Sequence, residues 1–204
     1  MTPQLPQLLV DTDAFCKLAA ADLLDEVLGL LGVSRDQCAV LPALPYMLGK
    51  GPLRKRYGDA AAEGLRGLTG EFPVAPAASE EWLDLLAAVP SIDPGEAQLF
   101  ALAAEHGIRI LTGDKRALEA LAKVSSIHPH LEGRIVSLEA ALAGLTKEKP
   151  EAQLRQKGTI LGQYDQMAKA VFASTGSDLG EALDSYMRDL EFKVKPLVLW
   201  RHRE

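Results

Sequence analysis

Residues 93–114 read DPGEAQLFALAAEHGIRILTGD, and this stretch decides the fold. Asp93 suits a helix N-cap, Pro94 the first helical position, and Glu96 completes a capping box. Leu99, Phe100, Leu102 and Ala103 continue the helix, and Gly107 stops it. Ile108 to Leu111 is then a short apolar run, the mark of a buried strand. It ends abruptly on Thr112, Gly113 and Asp114. A helix that packs on the strand following it runs antiparallel to that strand. Its N-terminus therefore shares a sheet edge with the strand's C-terminal end, so topology alone brings Glu96 towards Asp114.

A second stretch has the same ending. Leu8-Leu9-Val10 is an apolar run closed by Asp11-Thr12-Asp13. Asp11 joins the other two acids if the two strands are near neighbours. Ligands of parallel α/β sheets bind beyond the carboxyl ends of the strands. Three carboxylates meeting there disfavour one another's charge, yet they suit a hard cation such as Mg²⁺ or Mn²⁺. A plainer reading makes Asp93 with Glu96 an ordinary capping box, and Asp13 and Asp114 ordinary N-caps. Asp11 has the weakest structural excuse, because it ends a buried strand.

Outward from these stretches, strands alternate with helices, which predicts an α/β fold: a three-layer α/β/α sandwich around a parallel sheet. A helix is expected over residues 14–31, capped by Asp13 and closed by Gly32. Pro42 and Pro45 break the apolar segment 38–48 into a short strand or a turn of helix. Residues 49–56 read as a turn carrying Lys50, Arg54, Lys55 and Arg56. Helices are expected over 57–68, 79–89, 115–124 and 138–145, a loop over 70–78, and a last strand over 134–136. Lys147 to Pro150 looks like a boundary, dividing a domain of residues 1–146 from a helical extension of residues 147–204. In the extension Leu154, Leu161, Tyr164, Met167 and Val171 mark one amphipathic helix, and Ser177 caps a second. Residues 192–200 could add a strand to a sheet edge, in this chain or another.

With 204 residues the chain can bury a full core. Its 28 acidic against 22 basic residues give a formal net charge of -6, so the molecule as a whole is no basic nucleic-acid binder. Cys16 and Cys38 lack metal-ligand spacing and read as buried, reduced thiols. No signal-peptide pattern opens the chain, and no apolar run approaches the roughly 20 residues that cross a bilayer. A cytoplasmic protein without membrane association is expected.

Taken together, Val10-Asp11-Thr12-Asp13, Gly95-Glu96-Ala97 and Leu111-Thr112-Gly113-Asp114 resemble the motifs of the PIN domain family, over about residues 7–140. The resemblance implies a metal-dependent ribonuclease in which Asp11, Glu96 and Asp114 hold Mg²⁺ or Mn²⁺. Thr12, Asp13, Asp93 and Thr112 would support them. It also implies RNA as substrate and, since many such nucleases are toxins of toxin–antitoxin pairs, an antitoxin-like protein partner. One departure is visible: many family members carry a further Glu after the second strand, where residues 40–48 hold no acid. Tyr46 stands nearest that position, with Asp59 or Glu63 as substitutes from the next helix.

Two other readings use the same residues. A degenerate PIN-like module would bind RNA or a partner without cutting. A phosphatase resembling the haloacid dehalogenases would use Asp11 as nucleophile and Asp13 as acid/base. Lys50, Arg54, Lys55 and Arg56 are the candidates for nucleic-acid backbone contacts, their alternative being a solvated loop. His106 suits a helix C-terminus, and His128 and His130 lack a third metal ligand. Asp165 and Asp178 read as surface charge. The apolar stripes of the extension suit packing on the parent domain or on a second copy, so a homo-oligomer is expected.

Overall fold

The computed structural model describes residues 5–174 and 178–202. The expected cap Ser177 and the basic Arg203 lie outside the described residues. The chain alternates as anticipated. First come β1 (Leu8–Val10), α1 (Thr12–Ala20), α2 (Leu24–Leu30), β2 (Cys38–Val40), α3 (Leu44–Lys50), α4 (Pro52–Tyr57) and α5 (Asp59–Thr69). Next are α6 (Glu80–Ala87), α7 (Pro94–His106), β3 (Arg109–Thr112), α8 (Lys115–Leu121), α9 (His128–Leu131), β4 (Ile135–Ser137) and α10 (Leu138–Glu148). The extension holds α11 (Glu151–Leu161), α12 (Gln166–Ala173) and α13 (Leu179–Lys193). Among the described residues no helix is long and apolar enough to cross a membrane.

The sheet is all parallel, in the order β2-β1-β3-β4. β1 and β3 are direct neighbours, with Val10 opposite Leu111. The condition that brings Asp11 to Asp114 is thereby met, and the Asp11 amide donates to the Leu111 carbonyl at 2.9 Å. Strand residues alternate between two buried clusters. Leu8, Val10 and Leu111 join α1, α2, α10 and the extension, whereas Leu9, Ile110 and Ile135 join α7, α8 and α9. Full burial on both faces explains why these strands read as unbroken apolar runs.

The segment that decided the fold behaves as its local signals dictate. Asp93 caps α7, its carboxylate accepting from the Glu96 amide while Glu96 reaches back to the Asp93 amide, both at 2.8 Å. Gly107 closes the helix in the left-handed region at φ 69°. Elsewhere tertiary packing overrides the pattern. The helix expected over 14–31 is two helices, broken at Asp22, which takes φ 54°. Asp13 is not its cap: Asp11 stands at the N-cap position and Asp13 lies in the first turn. Pro52 starts α4, so the basic cluster expected on a turn is largely helical. The long extension helix is likewise two, α11 and α12, separated at residues 162–165. Asp165 is no surface charge; it caps α12 and is largely buried, its side chain 13% exposed. Asp178 caps α13, donating no proton but accepting from the Glu181 amide at 2.8 Å. Beyond α13 the chain returns to the sheet, where Leu199 bridges to Ile135 in parallel.

Candidate functional site

Three elements end on the same side of the sheet. β1 delivers Asp11, the start of α7 delivers Glu96, and the loop after β3 delivers Asp114. All three line one cleft of about 550 Å³, together with Thr12, Asp13 and Asp93. A smaller side pocket of about 370 Å³ continues past Asp93, Glu96 and Asp114 towards Ser91 and Ile92. Of the seven acids and threonines anticipated by the sequence, only Thr112 lies behind the cleft wall. It is buried, and its hydroxyl accepts from the Asp114 amide at 3.2 Å.

The electrostatics record how closely the acids are grouped. Asp11 is only 8% exposed. Burial, followed by the charges of Asp13 and Asp93, pushes its carboxyl up to about 7. Glu96 is also pushed up to about 7, by burial first and then by Asp93, Asp114 and Asp11. Of the three anticipated ligands, Asp11 and Asp114 thus both act on Glu96 as nearby like charges. Two of them also have local duties. Glu96 Oε2 accepts from the Asp93 amide, and Asp114 Oδ1 accepts from the Ala117 amide at 3.0 Å. Glu96 Oε1 and Asp114 Oδ2 take no part in those caps. Among the described residues no three His, Cys, Asp or Glu side chains stand close enough to form a finished metal cage. The chemistry of the donor set nevertheless fits a hard dication. It offers carboxylate oxygens only, two of them on groups that burial and like charge make unwilling to ionise alone.

The cations are distributed differently from expectation. Of the basic cluster, Arg56 lines the cleft, where Nη1 donates to Asp13 at 2.7 Å. Arg54 is held by Asp59 at 2.6 Å and donates to the Gly49 carbonyl. Lys50 and Lys55 are exposed and do not line the cleft. Lys17, Lys115 and Arg116 do line it, and the sequence reading missed all three. Lys115 and Arg116 directly follow Asp114, and Lys17 stands one turn after Asp13, so spacing along the helices held the signal. Lys17 is buried between Asp13 at 2.5 Å and Asp165 at 2.7 Å. Burial pulls its ammonium down, but hydrogen bonds to both aspartates outweigh this and hold it above its ordinary value. Lys115 Nζ reaches the buried Glu139 at 2.7 Å.

The position of the absent fourth acid stays without one. Tyr46 is 71% exposed on α3, and neither it, Asp59 nor Glu63 lines the cleft. Arg54 takes Asp59, and Arg66 takes Glu63. The additional carboxylates in the cleft are Asp13 and Asp93 instead. His130 sits on α9 with its ring against Trp82, far from a ligand role. Compared with known proteins, the chain matches no family model, no curated protein sequence and no solved structure.

Proposed function

We propose that this chain is a PIN-like ribonuclease that depends on Mg²⁺ or Mn²⁺, with Asp11, Glu96 and Asp114 as the metal-holding residues. The observation that carries this reading is the placement of those three carboxylates on one cleft, with Asp11 and Glu96 both pushed up to about 7. A fold that tolerates such cost at one place is usually retaining it for use. When bound, a divalent cation supplies a water of low pKa and a clamp for a phosphate. The protein's own contribution is to hold the oxygens and steer the substrate. Arg56 and Arg116 bring positive charge to a cleft within an acidic molecule, where an RNA backbone needs it. Asp93 orients Glu96 through the capping box, and Thr112 fixes the Asp114 backbone.

The test is loss of single-stranded RNA in the presence of MnCl₂ and its block by EDTA. Asp11→Asn and Asp114→Asn should each abolish cleavage with the circular dichroism spectrum unchanged. Absence of Mn²⁺ binding at millimolar concentration would overturn the reading. A binding module without activity is the second reading, favoured by the use of Glu96 and Asp114 in helix caps. It requires RNA retention in a gel shift, indifferent to EDTA, with no cleavage. The phosphatase reading is weakened by Asp13, which is held between Lys17 and Arg56 and so is poorly placed as a proton donor.

A further inference from the structure

The extension meets two cleft-lining side chains, Lys17 and Arg56, through the turn over residues 162–165 between α11 and α12. Here the Tyr164 carbonyl accepts from Arg56 Nη2 at 2.6 Å, and the Tyr164 ring lies 4.5 Å from that of Tyr57. Asp165 follows, with Oδ1 capping α12 through the Ala168 amide at 3.0 Å and Oδ2 on the Lys17 ammonium at 2.7 Å. The Lys17 side chain is only 9% exposed, yet Lys17 lines the same cleft as Asp11, Glu96 and Asp114. An ammonium on a four-carbon stem is a mobile point charge. Left with one partner, it would turn towards whichever carboxylates lie nearest.

We propose that Asp165 is a positioning residue of the cleft, which holds the Lys17 ammonium back on the wall so that it does not occupy the place of a divalent cation among the acids. The inference rests on the metal-site reading above. Asp13 alone is a poor anchor for Lys17, since Arg56 already claims its other oxygen. Asp165 comes from the far side of the chain, 148 residues away, and supplies the second counter-charge. The division of labour is therefore clear: the α/β unit provides the acids, and the extension keeps the resident cation off them.

Calorimetric titration of the full chain with MnCl₂ tests this without reference to catalysis. Asp165→Asn keeps an oxygen for the α12 cap and removes only the charge. It should weaken Mn²⁺ binding about tenfold, the scale of one added unit charge within a partly screened cleft. Lys17→Met should bind Mn²⁺ at least as tightly as the unaltered chain. The double variant, Lys17→Met with Asp165→Asn, should return to that affinity. A purely structural role for Asp165 demands the opposite, a double variant no better than Asp165→Asn. That result, or a tenfold loss in Lys17→Met, would overturn the proposal while leaving the metal site standing. If Asp165→Asn fails to fold by circular dichroism, the double variant still decides: the affinity of the unaltered chain supports the proposal, and a tenfold loss overturns it. An unaltered chain that binds no Mn²⁺ overturns the metal site and this proposal together.

Discussion

Asp11 sets the needs of the fold against those of the site. It closes a fully buried strand, and its charge is unwelcome there. In the unfolded chain it titrates near 3.8, in the folded protein near 7, and Glu96 moves from 4.5 to about 7. Groups raised in this way support the fold fully below the unfolded values, and that support is lost as pH rises through about 7. Without metal, stability should therefore fall between about pH 4 and pH 8. Asp11→Asn should flatten the decline and raise stability at pH 8 by about 2–4 kcal/mol, since one pKa unit is worth roughly 1.4 kcal/mol. Urea unfolding of both proteins at pH 5 and pH 8 checks this, and equal slopes with pH would refute it. The same substitution should abolish RNA cleavage, so stability and activity would move in opposite directions.

At the scale of elements, the legible parts were those with local causes. Asp93, Pro94, Glu96 and Gly107 state the limits of α7 in short-range chemistry, and the sheet follows from the apolar runs on either side. What could not be read depended on distant partners. The break at Asp22 has no proline or glycine behind it. The helix around Arg56 is anchored through Tyr57 and Arg56 to Tyr164, over a hundred residues on. The role of Asp165 is invisible until Lys17 is placed beside it. The close approach of α11 and α12 explains the geometry of that last contact. A Cβ at Gly158 would lie 2.2 Å from the Phe172 ring, so only glycine lets the two helices meet there. Gly158→Ala should destabilise the protein by about 1–3 kcal/mol, the usual cost of overpacking. A shift in the denaturant midpoint below 0.5 kcal/mol would show that α12 can move aside freely.

At the scale of the molecule, the extension is woven into both faces of the sheet. Leu154, Leu161, Val171, Phe172 and Leu183 share a buried cluster with Leu8 and Val10, while Leu190, Val194 and Leu197 join the cluster around Leu9 and Ile110. Ending the chain after Glu148 should therefore leave a collapsed but poorly packed product. It should aggregate or elute early on size exclusion and should lose its sharp thermal transition. A monomeric, cooperatively melting fragment would refute this.

The two margins of the sheet are closed in the same economical manner. On the β2 side Val40 bridges to Val74, and on the β4 side Ile135 bridges to Leu199, whose neighbour Trp200 donates to the Ile135 carbonyl at 2.8 Å. Each margin is covered by a single irregular segment of the chain itself rather than by a full strand. An open margin invites strand addition from another chain, the route to fibrils and swapped dimers. These two short plugs deny that route. If copies of this protein associate, they should do so through helical surfaces, and loosening residues 197–200 should be what first makes the protein sticky.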